Sequence, residues 1–184
     1  MSNPNITTPK TIESHTVYEG HFNLKEELIK LPSGLQKIYT VLECSPDAVV
    51  ILAETATGQL VLIKEYRQPT KKWLYGAPGG CIDPGETLIQ AAQRELLEET
   101  GYTAKNFHLI GSAYPFPSAC TQCIYYFLAK DANLTHPTAL DPFECIQVEL
   151  KDPTLLLKEI KEGAVLDGIL CSALYFRENF HAIS

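Results

Sequence analysis

Between Gly80 and Tyr102 the chain reads GCIDPGETLIQAAQRELLEETGY, and Arg94, Glu95, Glu98 and Glu99 fall within six residues of one another. Glu86 stands at the preceding turn and Gly101 follows the last carboxylates. Like charges at these spacings repel on a bare helix. Such a concentration of acid is unfavourable unless a cation compensates it, so the segment points to metal chemistry. Hard oxygen ligands suit Mg²⁺ or Mn²⁺, ions that keep several waters and also bind substrate phosphates.

The geometry depends on a helix. Thr87 with Gln90 three residues later matches a capping box, in which hydroxyl and amide side chain each satisfy a first-turn N–H. Leu88, Ala91, Ala92 and Leu96 supply an apolar stripe among good helix formers. Gly101 suits the left-handed position just past a helix end. At about 100° per residue, Glu98 lies about 60° to one side of Glu95 and Glu99 about 40° to the other. The three carboxylates therefore share one face. Glu98 and Glu99 also sit near the negative end of the helix dipole, where acids are disfavoured. Local disagreement of this kind marks functional sites. The alternative is a solvated acidic face held by i,i+4 ion pairs. Acids, arginine and glycines recurring at set spacings argue against it.

Gly80, five residues, Glu86, seven residues, then Arg94-Glu95-Leu96-x-Glu98-Glu99-x-Gly101-Tyr102 resembles the signature of the Nudix hydrolases, with every defined position filled. The resemblance implies an α/β fold, an α/β/α sandwich with mixed sheets. It also implies hydrolysis of a nucleoside diphosphate linked to another moiety. On this resemblance Glu95, Glu98 and Glu99 hold the metals together with the main-chain carbonyl of Gly79. Arg94 orients the glutamates by pairing with Glu86 or a neighbour. The chemistry has a plain rationale. Divalent ions bridge carboxylates and an anionic diphosphate, neutralise developing charge and acidify a bound water, whose proton a nearby carboxylate can accept.

Tyr18-Glu19-Gly20-His21-Phe22, Leu31-Pro32-Ser33-Gly34 and Glu65-Tyr66-Arg67-Gln68-Pro69 resemble the ADP-ribose pyrophosphatase branch of that family, as does Ile160-Lys161-Glu162-Gly163 before Leu166-Asp167-Gly168. Pro117 lies fifteen residues beyond Tyr102, where that branch tends to carry a proline. The similarity implies an N-terminal antiparallel β-hairpin exchanged between subunits of a homodimer, with adenine stacked near that interface. Arg67 would hold the terminal phosphate, a task its planar guanidinium suits; otherwise it is a surface strand arginine. Trp73, the only tryptophan, flanks the base or serves as a core or interface residue. His21 and Phe22 fall where an aromatic meets adenine; on a strand only one of them can do so.

Three departures stand out. Many bacterial members carry a glutamate in the loop after the proline as general base, and here that position reads Gln122. The base is then Glu98, Glu99 or Glu144. Gly76-Ala77-Pro78-Gly79-Gly80 replaces the more usual Glu-Leu-Pro-Ala-Gly, and Tyr39-Thr40 stands where an Arg-Glu pair is common. Each loss removes a charged contact, so the diphosphate class is better supported than ADP-ribose itself. Triphosphate or dinucleoside polyphosphate cleavage, or nucleotide sensing with little catalysis, are the alternatives.

Length and composition agree with one enzyme domain. The 184 residues carry 45% apolar and 20% charged side chains, enough for a real core. A net charge of −7 argues against a nucleic-acid polymer as partner. The opening residues MSNPNITTPKT are polar and no apolar run approaches 18 residues, which points to a soluble cytoplasmic protein without a membrane span. Six cysteines are then expected as thiols. Cys120 and Cys123 form a lone CxxC, open to a redox role or half of a zinc site; with no second pair of suitable spacing it reads as two small residues beside a substrate loop.

Residues 1–12 read as a flexible tail, residues 13–45 as a dimerisation β segment and residues 46–184 as the hydrolase domain. Strands are expected over His15–Leu24, Leu35–Glu43, Ala48–Glu54, Leu60–Tyr66, His108–Tyr114 and Ile124–Lys130. Helices are expected over Leu155–Glu162 and Ile169–Phe180, besides the one that follows Gly79-Gly80 and Pro84-Gly85.

Overall fold

Lys10–Tyr18 (β1), Asn23–Lys30 (β2) and Gln36–Glu43 (β3) pair antiparallel in that order, in a computed structural model that describes residues 7–164 and 166–180. β1 takes in Lys10 to Ile12, so the expected tail ends earlier than residue 12; residues 1–6 lie outside the described residues. The span His15–Leu24 is two strands, because Glu19–Phe22 turn back and bring Tyr18 opposite Leu24. Weak alternation on both sides of a short polar turn cannot reveal the reversal. A second reversal follows at Leu31–Leu35, where Gly34 at φ 88° donates its N–H to Leu31 O at 2.9 Å. A residue with a Cβ is strained in that left-handed conformation. The result is a three-stranded antiparallel sheet, one strand more than the expected hairpin. Lys25 pairs with Glu43 across β2 and β3, and Asn23 donates to the same carboxylate at 3.3 Å.

The described chain divides into two compact units. The first is formed by residues up to Ser45 with Phe116–Gln122; the second is formed by Pro46–Pro115 and the residues from Cys123 onward. In the second unit Ala48–Thr55 (β4), Leu60–Arg67 (β5), Lys72–Gly76 (β6), Gly79–Cys81 (β7), Tyr102–Thr103 (β8), Asn106–Ala113 (β9), Ile124–Leu134 (β10) and Ile146–Lys151 (β11) build one mixed sheet. Its path runs β11-β5-β4-β10-β8, with β6 on β5, β7 on β4 and β9 on β10. The β4–β10 pairing is parallel and the others are antiparallel.

Period-2 geometry sends alternate residues of β4 to opposite faces. Val49, Ile51 and Ala53 pack with Ala91, Ala92 and Leu96 of the helix Leu88–Thr100 (α1). Leu52 and Val50 face the other way, toward Leu156 of Pro153–Lys161 (α2) and Leu170, Ala173 and Leu174 of Gly168–Asn179 (α3). The sheet therefore lies between α1 and the α2–α3 pair, an α/β/α sandwich. This accounts for the unbroken apolar run of β4, buried on both faces.

Thr87 caps α1 through the capping box, and Gly101 ends it at φ 73°. Asp152 and Asp167 cap α2 and α3 through side-chain bonds to first-turn amides. Four short strands, β6, β7, β8 and β11, add to the expected ones. Gly79 and Gly80 in particular are strand and not turn. A Cβ on Gly79 would lie 2.2 Å from Val49 O, so close approach of two backbones, not a reversal, requires glycine there.

Candidate metal and phosphate site

Arg94 sits at the centre of the acidic face of α1. Its Nε donates to Glu86 Oε1 at 2.8 Å and Nη2 to Glu86 Oε2 at 2.9 Å, a bidentate pair that ties the Pro84-Gly85 turn to the helix. Nη1 donates to Glu95 Oε1 at 2.7 Å and to Glu98 Oε2 at 3.2 Å, and Nη2 also reaches Cys81 O at 2.9 Å. One guanidinium thus orders three carboxylates and the end of β7. Hydrogen bonding to Arg94 lowers the Glu86 pKa, and the bonds from Glu86 first, then Glu95 and Glu98, hold Arg94 protonated beyond its usual range.

Glu95 and Glu99 are the buried acids of the helix, 9% and 5% exposed. Burial is the main cause that raises both pKa values, and neighbouring carboxylates add to it. Arg94 opposes the rise at Glu95. At Glu99 the opposing contact is a single amide, Gly79 N–H to Oε2 at 2.8 Å, and the carboxyl is pushed up to about 8. Gly80 presses on the same cluster: a Cβ there would fall 2.4 Å from Glu95 Oε1. Gly80 thus makes room for a carboxylate, a role its place in a turn-like dipeptide conceals.

Across from the helix face, Ala139, Leu140, Asp141 and Glu144 complete a recess of about 320 Å³ with Arg94, Glu95, Glu98 and Glu99. Ala139 N–H donates to Glu98 O at 2.7 Å, which fastens this loop to the end of α1. Asp141 and Glu144 close a small turn, with Glu144 Oε2 accepting from Asp141 N–H at 2.9 Å. Glu144 adds negative potential at Glu95, Glu99 and Glu65. Asp141 escaped sequence reasoning because it belongs to no motif that carries chemistry, and Glu65 because its motif, Glu65 to Pro69, draws attention to Arg67 instead. Only folding brings them toward α1.

Among the described residues no three His, Cys, Asp or Glu side chains are already gathered tightly around one point. The carboxylates turn instead to Arg94 and the Gly79 amide. The donor set nevertheless fits a hard divalent cation: it is all oxygen, it lines one recess, and it includes a buried carboxyl that needs positive charge to ionise at neutral pH. Gly79 meets this cluster through its amide.

The other residues expected at the site fall in both units. Arg67, at the end of β5, donates from Nη1 to Glu65 Oε1 at 2.8 Å, and its Nη2 lies 3.5 Å from Asp167 Oδ2. Its charge is therefore already shared with two carboxylates. Burial chiefly raises the Glu65 pKa, against the pull of Arg67. Trp73 stands opposite Tyr66 on β6, 41% exposed, with ring centroids 5.8 Å apart in an edge arrangement. His21 and Pro117 belong to the first unit. His21 lies in the turn between β1 and β2, so strand alternation does not separate it from Phe22; the two rings touch edge-on at 4.4 Å. Pro117 lies in the turn where Ala119 and Cys120 donate to Phe116 O. Gln122 is also in this first unit.

Comparison with known proteins agrees with this architecture. The sequence profile of the NUDIX domain matches residues 45–167. An ADP-ribose pyrophosphatase of Bacillus subtilis (strain 168) is 30% identical over 169 residues, 91% of each chain. A methanol dehydrogenase activator of Bacillus methanolicus is 30% identical over 163 residues, 86% of each. The crystal structure of an ADP compounds hydrolase superposes with a TM-score of 0.84 over 96% of both chains at 22% identity, a likeness of fold. The chain belongs to the NUDIX domain family.

Proposed function

We propose that this protein hydrolyses the diphosphate bond of ADP-ribose or a related nucleotide sugar, giving a nucleoside monophosphate and a sugar phosphate. One observation carries the reading: Glu95, Glu98, Glu99 and Glu144 line a single recess, with Arg94 fixing the first two. The relative from Bacillus subtilis, named for ADP-ribose hydrolysis, supports the substrate class.

Glu95, Glu98 and Glu99 would hold Mg²⁺ or Mn²⁺, with the Gly79 carbonyl as a further donor. The cation supplies charge neutralisation at the diphosphate and a more acidic bound water. Arg94 keeps the carboxylates aligned and does not itself attack. Glu144 stands on a loop across the recess, where its side chain accepts from the Asp141 N–H of its own turn. Because Glu98 and Glu99 would hold the cation, Glu144 is the carboxylate suited to take the proton of the attacking water. Arg67 would grip the terminal phosphate by exchanging its partner Glu65 for a phosphoryl oxygen. In the second unit Trp73 would flank the base; in the first unit His21 or Phe22 would be the aromatic offered to adenine and Pro117 a substrate-loop proline.

The segment of residues 13–45 would serve dimerisation and residues 46–184 catalysis. Exposed Ile12, Val17, Tyr18, Ile38 and Tyr39 on β1 and β3 support a homodimer, because an apolar strand surface invites a second copy. No helix among the described residues is long and apolar enough to cross a membrane. A cytoplasmic location and small-molecule partners complete the reading.

The test is incubation of the purified protein with Mg²⁺ and ADP-ribose, other nucleotide sugars and nucleoside triphosphates, with products resolved by chromatography. AMP and ribose phosphate from ADP-ribose is the expected result. Cleavage of another nucleotide sugar alone would correct the substrate and keep the chemistry. Glu99→Gln and Glu144→Gln should each lower turnover at least a hundredfold. An unimpaired variant removes that residue from the mechanism.

A further inference from the structure

We propose that Cys44 and Cys120 are a redox modification site: low-molecular-weight disulfides oxidise them to a disulfide that staples the Phe116–Gln122 loop to the end of β3. The two thiols are 76 residues apart in sequence, yet Cys120 Sγ donates to Cys44 Sγ at 3.2 Å. A disulfide bond is about 2.05 Å long, so the sulfurs need to close by only about 1.2 Å.

The backbone on both sides is already paired within the first unit. Leu42 N–H donates to Ala119 O at 2.7 Å and Thr121 N–H to Leu42 O at 3.2 Å, forming a parallel bridge between Leu42 and Cys120. Thr121 Oγ1 accepts from Cys44 N–H at 3.0 Å and donates to Cys44 O at 3.2 Å. These contacts hold the two cysteine positions side by side from above and below, so ring closure needs side-chain rotation more than chain movement.

The nearer cysteine in sequence is Cys123, the other member of the CxxC. Cys123 is tied elsewhere: it belongs to the second unit, its N–H donates to Asp47 Oδ1 at 3.0 Å, and its carbonyl accepts from Ala48 N–H at 3.1 Å. Burial then divides the labour between the proposed partners. Cys44 is 7% exposed and Cys120 is partly exposed, so Cys120 meets the reagent first.

The Cys120 thiolate attacks one sulfur of the small disulfide, forming a mixed disulfide and releasing one small thiolate. The Cys44 thiolate then attacks the Cys120 sulfur and displaces the second small thiolate. Two cysteine protons are released, the protein is oxidised by two electrons, and the small disulfide is reduced to two thiols. A disulfide of this kind in a thiol-rich compartment is reversible and sensing, not permanent. Its effect is to add a covalent tie to the hydrogen bonds that hold the loop carrying Pro117 against the end of β3.

Glutathione disulfide serves as the probe, added to the full-length folded protein. Peptide mapping by mass spectrometry and hydrogen exchange follow. The wild type should yield a Cys44–Cys120 linked peptide, and the Leu42, Cys44 and Thr121 amides should exchange at least tenfold more slowly. Dithiothreitol should reverse both changes. Cys44→Ser should stop the reaction at the first step, leaving Cys120 as a stable mixed disulfide with unslowed exchange. Cys120→Ser should leave Cys44 unmodified. A Cys120–Cys123 linked peptide, a mixed disulfide that persists in the wild type, or a linkage that forms only after denaturation would overturn the proposal.

Discussion

Replacing Glu99 by glutamine should stabilise the metal-free protein at neutral pH while abolishing its turnover. Glu99 is 5% exposed, and burial first, then the charges of Glu95, Glu144 and Glu65, push its carboxyl from 4.5 up to about 8. Because the folded-state pKa lies above the unfolded one, the favourable contribution of the group is complete below pH 4.5. It is lost as pH rises through about 8. At pH 7 the fold must keep protonated a carboxyl that the unfolded chain would ionise. At about 1.36 kcal/mol per pH unit this costs about 3 kcal/mol there, and between 4 and 5 kcal/mol, roughly, above pH 8. Glutamine escapes that cost and still offers an oxygen to the Gly79 amide. The assay is urea unfolding of both proteins in EDTA from pH 4.5 to pH 9. The two stabilities should approach each other at the acidic end and separate by about 3 kcal/mol at pH 7, with the variant above. Millimolar Mg²⁺ should raise the wild type more than the variant, because it binds the folded form of the ionised carboxylate. Parallel pH profiles in EDTA would refute the reasoning, since they would mean that Glu99 is solvated or compensated in the metal-free fold.

Other substitutions probe the same cluster from different sides. Gly80→Ala would place a methyl 2.4 Å from Glu95 Oε1; displacing that carboxylate should weaken Mg²⁺ binding about tenfold or more by titration calorimetry, as loss of orienting contacts does at metal sites. Arg94→Lys removes the fork that serves Glu86, Glu95 and Glu98 together. It should lower kcat by about 10- to 100-fold with little change in the unfolding midpoint, and full activity in steady-state kinetics would deny Arg94 its organising role. Thr87→Ala deletes the hydroxyl that accepts from Gln90 N–H and should cost about 1 kcal/mol in urea unfolding while leaving turnover intact. Sedimentation should give a species of twice 20.4 kDa, and Tyr18→Glu or Ile38→Glu on the exposed strands should halve it; a wild-type monomer would remove the dimer from the reading.

Where sequence reasoning succeeded, the interactions are short in chain distance. The capping box of Thr87 and Gln90, the left-handed Gly101 and the shared face of Glu95, Glu98 and Glu99 depend on contacts within one or two helical turns. They are visible in any window that contains them. The doubly buried run of β4 was legible for a related reason, since burial on both faces leaves no polar alternation. The short strands β6, β7, β8 and β11 were not legible. Two to six residues carry too little periodicity, and each exists because a longer neighbour offers it a hydrogen-bonded edge.

From its residue order alone, the chain determined its family signature, the helix that bears it and the all-oxygen character of the acidic cluster. Tertiary structure decided what surrounds that cluster: the close approach of Gly79 and Gly80, the arrival of Asp141 and Glu144 from a distant loop, and the engagement of Arg67 by Glu65 and Asp167. It also gave Cys120 a partner 76 residues away in place of the neighbour three residues on. The physical reason is common to all of these. A helix sets its own side chains by its pitch, whereas the distance between remote segments is set by which surfaces the core allows to pack together.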